Sequence, residues 1–328
     1  MPSLAIVRAS NAAWNPAYTP VGVFVGGTSG IGEGIAEAFA RHTKGNAHII
    51  LVGRNRAAAT SILARLEKPA IPGLAREFLE CDLSLLRNVK RTSAEILSRF
   101  PRVNFLVLTA GAISLSGLDV TEEGVDRQMA LLYYSKWAFV DGLLPGLRAA
   151  RDAGEDARVS AVHTAGKSGP IDLDDLGLKK GFTSGMSNVR KLFPQLSAYQ
   201  DLLAEGFAEH NPGMSFFHAH PGAVDTPLLR ASPSAVLRYL HYVRYLFMPT
   251  LFMRAKSISV CGEHQLYALL QAPPGASRVG EDGDDIGLGG TAMKAGRRVA
   301  ARSAPRIQQR VQNWNKLEGG SLWIGPGL

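Results

Sequence analysis

A glycine-rich segment directly after a short apolar run constrains the fold of this chain most strongly. The run spans residues 21–25, and the segment after it reads Gly26-Gly27-Thr28-Ser29-Gly30-Ile31-Gly32. Apolar residues at helical spacing continue to Arg41, which predicts a strand, a tight turn and a helix in that order. Glycines in such a turn let the backbone approach a phosphate, and the helix N-terminus supplies free N–H groups. The segment therefore predicts an anion-binding corner, with a plain connecting loop as the alternative.

The same alternation of apolar runs and helical patterns continues along the chain. Strands are predicted at 21–25, 48–52, 77–81, 103–109, 158–163 and 214–219, and helices at 31–41, 56–67, 85–99, 122–147 and 188–210. Apolar runs without alternating polar positions are typical of parallel strands covered on both faces. The sequence thus predicts an α/β fold with a doubly wound parallel sheet of Rossmann type, in three layers α/β/α.

The chain of 328 residues shows no linker between two globular halves. A stretch rich in glycine, proline and aspartate, residues 272–290, is the best candidate boundary. We expect an N-terminal extension at 1–20, a single domain at 21–272 with a lid at about 228–255, and a C-terminal tail at 273–328.

Composition and charge exclude several classes of protein. The chain is 46% hydrophobic and 20% charged, without an apolar run near the ~20 residues of a spanning helix. Most of the net charge of +8 lies after residue 285, with few aromatics interleaved, which argues against nucleic-acid binding. The two cysteines, Cys81 and Cys261, predict buried free thiols and no metal site. The N-terminus matches no signal or transit peptide, so we expect a cytoplasmic location.

Three further segments make the chain resemble the short-chain dehydrogenase/reductase family. They are Cys81-Asp82-Leu83-Ser84, Leu108-Thr109-Ala110-Gly111-Ala112 and His220-Pro221-Gly222-Ala223-Val224-Asp225-Thr226-Pro227. The resemblance covers about residues 21–227 and implies a nicotinamide dinucleotide as cofactor. It also implies which residues bind the dinucleotide: Gly26, Thr28, Ser29, Gly30, Ile31, Gly32, Asp82, Leu83, Ala110, Gly111, Pro221, Gly222 and Thr226. Homodimerisation is a further expectation from the family.

The residues after the second strand bear on the choice of cofactor. A carboxylate there would accept from the ribose 2′-hydroxyl of NAD(H) and repel the 2′-phosphate of NADP(H). This chain has Arg54 and Asn55 instead of an acid. Because an arginine offers paired donors to a phosphate, the sequence favours NADP(H) over NAD(H).

The family's Tyr-x-x-x-Lys signature is missing. None of the eight tyrosines is followed by a lysine four residues later. Counting back from the Pro-Gly turn leaves Lys191 as the lysine that would hold the nicotinamide ribose, with Ser187 in the tyrosine position. A count through the helix instead places Val189 at the tyrosine position and Phe193 at the lysine position. Neither register supplies the phenol.

The other catalytic positions are also altered. Leu132 stands where the family has an asparagine, and Thr164 stands where it has a serine hydroxyl. Candidates for the missing proton donor are His163, whose ordinary pKa suits proton transfer, and Tyr133 or its neighbour Tyr134. A structural histidine and a packed tyrosine pair are the alternatives.

An apolar, aromatic segment at 235–253 carries a basic residue at every third position, Arg238, His241 and Arg244. A lid over a lipophilic substrate is the preferred interpretation. A helix in a membrane interface, with contact through this segment or the basic tail, and plain packing are the alternatives.

Three functions remain open at this point. The first is an NADP(H)-dependent oxidoreductase of secondary metabolism that acts on a lipophilic carbonyl or alcohol with an altered catalytic site. The second is a redox-neutral isomerase, lyase or cyclase on the same scaffold. The third is a non-catalytic nucleotide-binding protein.

Overall fold

The computed structural model describes residues 1–115, 117–172, 174–178, 186–230, 232, 234–239 and 255–287, with only the backbone at 186–189 and 191. Most of the predicted lid and all of the predicted tail after residue 287 lie outside these ranges.

Helices and strands alternate through most of the described chain. The strands are β1 (Val21–Val25), β2 (His48–Gly53), β3 (Arg76–Glu80), β4 (Phe105–Leu108), β5 (Arg158–Val162), β6 (Ser215–Ala219) and β7 (Gly275–Val279). The helices are α1 (Leu4–Ala13), α2 (Gly30–His42), α3 (Arg56–Arg65), α4 (Leu86–Arg99), α5 (Arg127–Met129), α6 (Ser135–Asp152), α7 (Met186–His210) and α8 (Ile258–Gln271). A π-helical turn, Ala130–Tyr134, joins α5 to α6.

The strands form a seven-stranded sheet with the order β3-β2-β1-β4-β5-β6-β7. Every neighbouring pair is parallel. The strand order reverses between β1 and β4, and ligands of open α/β sheets bind outside the carboxyl ends of the strands at such a point. The predicted doubly wound α/β/α fold is therefore confirmed.

Both faces of the sheet are covered by apolar side chains, as expected for parallel strands. One cluster packs α4 and α6 against the sheet through Val89, Ile96, Phe139 and Leu143. The other packs α2 and α8 against the opposite face through residues such as Phe39. The two cysteines are free and buried, as predicted. No helix in the described ranges is long and apolar enough to cross a membrane.

Two predicted boundaries are wrong. The sheet does not end before residue 272, because β7 at Gly275–Val279 pairs with β6 inside the stretch predicted as the start of the tail. The predicted helix start at 122 is also too early, since Val120 pairs with Asp126 in a turn and Asp126 then caps α5. The predicted N-terminal extension at 1–20 contains α1, which begins after a capping Ser3.

A buried carboxylate joins three helices. Glu263 of α8 is 1% exposed and accepts hydrogen bonds from Arg41 Nη1 at 2.6 Å and Asn11 Nδ2 at 3.0 Å, and pairs with His42 Nε2 at 2.8 Å. Burial alone would raise the pKa of this carboxyl, but the hydrogen bonds and nearby positive charges lower it to about 2. The interaction fixes α1 and α2 against α8.

We expect Glu263→Gln to destabilise the protein at pH 7 by about 1–3 kcal/mol, because buried donors lose a charged acceptor. The folded-state pKa lies below its ordinary value of 4.5, so this stabilisation is complete above pH 4.5 and is lost as the pH falls toward 2. Urea unfolding at pH 7 and pH 3.5 measures the destabilisation by Glu263→Gln and its decrease at low pH. Glu80→Gln, which removes an exposed pair with Arg56, is the control and should cost under about 1 kcal/mol. Equal losses in the two variants would contradict the assignment.

Candidate active site

The glycine corner between β1 and α2 is packed too closely for side chains. Gly26 and Gly30 have φ of +84° and +60°, which glycine adopts without strain. A Cβ on Gly26 would lie 2.6 Å from the backbone nitrogen of Ala110, and one on Gly32 would lie 2.5 Å from the Gly26 oxygen. The chain thus needs glycine at these positions to bring β1, α2 and the end of β4 together.

The first turn of α2 is open to an anion. Ser29 is exposed and stands at the N-cap of α2, but its side chain makes no capping hydrogen bond. A Cβ on Gly30 would meet Thr226 at 3.3 Å, so the turn after β6 closes over the same corner. Unsatisfied N–H groups at a helix start bind phosphate. The corner therefore fits the pyrophosphate of the dinucleotide that the family resemblance implies.

The predicted adenosine side lies beside this corner. Arg54 is exposed directly after β2, and among the described residues it forms no ion pair. Asn55 accepts from Ala58 N and caps α3. Asp82 accepts from Ser84 N and Oγ, which fixes its carboxylate in the turn after β3. Arg54 is thus the cation with freedom to meet a phosphate group.

The segments after β3, β4 and β6 hold the remaining predicted binding residues. All follow carboxyl ends of strands, so the parallel sheet places them along the edge that also carries the glycine corner. A Cβ on Gly111 would lie 3.0 Å from Leu132 Cδ2, so the β4 turn packs against the π-helical turn. The residues placed on this edge are Asp82, Leu83, Ala110, Gly111, Pro221, Gly222 and Thr226.

Two candidate catalytic groups contact each other after β5. The distance from His163 Nδ1 to Thr164 Oγ1 is 2.9 Å. Burial, followed by the charges of Lys136, His218 and His220, lowers the pKa of His163 well below 6.5. The imidazole is therefore neutral at pH 7 and is able to accept a proton from the threonine hydroxyl.

A phenylalanine of α7 packs against His163. Phe193 of α7 has its ring centroid 5.2 Å from that of His163. Lys191 and Ser187 lie on the same helix, and the structure describes only their backbone. The roles of Lys191 and Ser187 therefore remain predictions.

Tyr133 is partly buried in an aromatic cluster. Its ring centroid lies 5.3 Å from that of Tyr199 and 5.4 Å from that of Tyr134. Burial raises the pKa of the Tyr133 phenol well above its ordinary value. These contacts are those of a packing residue, and a catalytic role for Tyr133 remains a prediction.

Sequence reasoning missed Lys136, one helical turn after Leu132. Its side chain is 1% exposed, and Nζ donates to the oxygen of Val162, the last residue of β5, at 2.8 Å. Burial lowers the pKa of this lysine to about 7. The preceding π-helical turn is a further sign, because such turns are frequent at functional sites. The sequence signal that could have revealed Lys136 is a lysine at a position where the helical pattern places a core residue.

A buried polar network lies behind Thr164. Ser197 donates to the Thr164 carbonyl oxygen at 2.6 Å and lies 3.2 Å from Ser168. Ser168 donates to Asp201, which also accepts two hydrogen bonds from Arg278 and one from His218. Burial alone would raise the pKa of Asp201, but its hydrogen bonds and nearby charges lower it. The network spans β5, β6, β7 and α7.

Comparisons with known proteins agree with this geometry. The family model described as enoyl-(acyl carrier protein) reductase matches residues 25–166. Oxidoreductase AN1596 of Emericella nidulans is 34% identical over 83% of this chain and 78% of its own length. Short-chain dehydrogenase/reductase SAT2 of Stachybotrys chartarum is 31% identical over 69% of this chain and 67% of its own length.

The fold is also similar to solved structures. An alcohol dehydrogenase from Thermococcus sibiricus, complexed with 5-hydroxy-NADP, superposes with a TM-score of 0.55 at 20% identity. The match covers 80% of this chain and 96% of the archaeal protein. At this identity the likeness shows the fold alone.

We expect Lys136→Met to stabilise the protein at pH 7 by about 1–3 kcal/mol, because it removes a buried ammonium that forms one hydrogen bond among the described residues. A lysine with a folded-state pKa near 7 and an ordinary value of 10.5 binds more protons in the unfolded state between these values. Wild-type stability therefore rises with pH across this window, and the difference from the variant shrinks.

Urea unfolding at pH 7 and pH 9.5 tests this, with the exposed Lys90→Met as control. A variant that is less stable than the wild type at pH 7, or a gap that widens toward pH 9.5, would show that Lys136 is stabilised as the cation.

Proposed function

Because the chain belongs to the short-chain dehydrogenase/reductase family, we propose that it is an NADP(H)-dependent oxidoreductase acting on a lipophilic carbonyl or alcohol. The observation that carries the proposal is the glycine corner, whose backbone is too close-packed for side chains and whose N-cap residue, Ser29, makes no capping hydrogen bond with its side chain. This corner lies at the point where the strand order reverses, on the same edge as Thr164 and His163. A dinucleotide held at the corner would extend along that edge.

Arg54 supports NADP(H) over NAD(H). It is exposed at the end of β2 and has no ion-pair partner in the described part of the chain. The neighbouring Arg56 pairs with Glu80 at 3.3 Å, so its charge is partly compensated. A 2′-phosphate would give Arg54 a charge-assisted, bidentate partner.

The reaction needs a proton at the substrate oxygen besides the hydride that a bound nicotinamide supplies or accepts. In the proposed mechanism Thr164 Oγ1 hydrogen-bonds the substrate oxygen, and His163 takes up or returns the threonine proton through Nδ1. The neutral imidazole is the proton-accepting form, which suits oxidation of an alcohol at neutral pH. This assignment uses the contact of 2.9 Å between the two side chains.

An apolar rim supports a lipophilic substrate. Leu118 and Val120 are exposed after β4, and Leu228, Val236 and Tyr239 are exposed after β6. Ser232 donates to the Ile113 oxygen at 2.9 Å, which joins the two segments at the carboxyl edge of the sheet. Exposed apolar groups beside a site favour an apolar ligand. The residues between 240 and 254, which complete the predicted lid, lie outside the described ranges.

A redox-neutral proton transfer on the same scaffold is the second candidate. The observation that favours it is the Phe193 ring beside His163, which gives the site an imidazole base without a phenol acid. Consumption of NADPH with lipophilic ketones, or its formation from alcohols, would support oxidoreduction. Turnover of the same substrates without a change at 340 nm would support the second candidate.

We expect Arg54→Glu to weaken NADPH binding by about 10–100-fold, because a contact with a charged group is worth about 1.5–3 kcal/mol. NADH has no 2′-phosphate, so its affinity should change much less. Fluorescence titration with each nucleotide measures the two affinities. Arg102→Gln is the control, since this arginine pairs with Glu155 at the opposite edge of the sheet. An unchanged NADPH affinity would remove the basis for the cofactor assignment.

We expect Thr164→Val and His163→Gln each to lower kcat/KM for alcohol oxidation by about 10²–10⁴-fold, the usual worth of acid–base catalysis. Thr164→Ser should retain most activity. In the wild type kcat/KM should stay level from pH 8 to 6.5 and fall only at lower pH, where His163 becomes protonated. His210→Gln, at the exposed end of α7, is the control. A fall beginning above pH 7 would exclude His163 as the base.

A further inference from the structure

A second buried histidine stands behind His163. His218 of β6 is fully buried, and its Nδ1 lies 2.8 Å from Asp201 Oδ1. The ring centroids of His163 and His218 are 6.2 Å apart. In the described part of the chain, Nε2 of each ring is buried without a hydrogen-bond partner. Two unpaired imidazole nitrogens therefore occur on neighbouring rings, one of which contacts the Thr164 hydroxyl.

Hydrogen-bond roles fix the tautomer of His218. The ionised Asp201 has no proton to give, so His218 Nδ1 must be the donor in their contact. A neutral His218 then carries its proton on Nδ1, and its Nε2 is an acceptor only. This acceptor needs an N–H or O–H donor, and the ring of His163, whose centroid lies 6.2 Å away, has an unpaired nitrogen.

The same logic applies to His163. If Thr164 donates its hydroxyl proton to His163 Nδ1, the neutral ring carries its own proton on Nε2, where it is a donor. A direct N–H···N hydrogen bond would place the two ring centroids about 5 Å apart, from ~2.9 Å between the nitrogens and about 1.1 Å from each ring centre. The observed separation exceeds this by about 1 Å, which a small ring rotation or one bridging water would cover.

We infer that His218 is the second imidazole of a buried proton relay that begins at Thr164 and passes through His163. In alcohol oxidation the substrate hydroxyl gives its proton to Thr164 Oγ1, the threonine proton moves to His163 Nδ1, and the proton on His163 Nε2 moves to His218 Nε2. Each group gains one proton and loses one, except His218, which becomes an imidazolium beside the Asp201 carboxylate. Carbonyl reduction returns the proton along the same path.

Charges around the cluster are arranged for this transfer. Asp201 faces His218 from α7 and is shared with Arg278 of β7, while Lys136 approaches from α6 and His220 follows β6. Burial lowers the pKa of His218, and the contact with Asp201 opposes that shift, whereas no carboxylate opposes it at His163. The stored proton is therefore more stable on His218 than on His163. His218 acts through His163 and is a positioning residue.

The inference rests on the proposed function for the direction in which the proton moves. Its test needs neither cofactor nor substrate. In the free wild-type protein, ¹⁵N-histidine NMR at pH 7 should show His163 mainly as the Nε2–H tautomer and His218 as the Nδ1–H tautomer. In His218→Gln, His163 loses its acceptor and should shift toward the Nδ1–H tautomer, which donates to Thr164.

His264→Gln, which replaces a buried histidine of α8 outside the cluster, is the matched control and should leave the His163 tautomer unchanged. If His218→Gln fails to fold, the wild-type spectrum still decides, because an Nδ1–H tautomer of His163 at neutral pH overturns the relay. A His163 tautomer that is the same in the wild type and in His218→Gln also overturns it. An NADP(H) affinity or hydride transfer that fails while the tautomers are as expected would count against the proposed function alone.

Discussion

Backbone contact at the first strand–helix corner is the constraint on which the rest of the structure depends. Gly26 and Gly32 bring β1 and α2 within van der Waals contact of the end of β4, where added side chains would collide with main-chain atoms. The approach leaves the N-terminus of α2 facing the carboxyl edge of the sheet. Arg54, His163 and Thr164 each follow a strand along this edge, so the packing of the glycines sets where the proposed chemistry takes place.

Behind that edge the molecule has buried an unusual set of charges. In the part of the chain that the structure describes, Lys136 has one carbonyl oxygen as its partner, whereas Arg278 and Asp201 neutralise each other. An uncompensated buried ammonium is costly, and its retention in a core position is typical of sites where function outweighs stability. The unpaired imidazole nitrogens of His163 and His218 are a second cost of the same kind. Both costs occur within reach of Thr164, where a proton has to be moved.

The sheet and its glycine corner were predictable because they arise from local patterns. Apolar runs and helical spacing predicted β1 to β6, but β7 was missed because glycine, serine and Arg278 interrupt its apolar character. That arginine is tolerated only because Asp201, far away in sequence, accepts two hydrogen bonds from it. The contact of His163 with Thr164 was within reach of sequence reasoning because the residues are adjacent. The positions of Lys136 and His218 depend on packing between separate elements, and no spacing rule reveals them.

The attachment of α1 also has a consequence for how the polypeptide acquires its shape during synthesis. Asn11 reaches Glu263 across 252 positions of the chain. A ribosome releases the first helix long before its partner exists, and domains generally fold as units during translation. Helix α1 must therefore wait, undocked, until α8 emerges late in the synthesis of the Rossmann unit and captures it. In this protein the two ends of the folding domain are completed together.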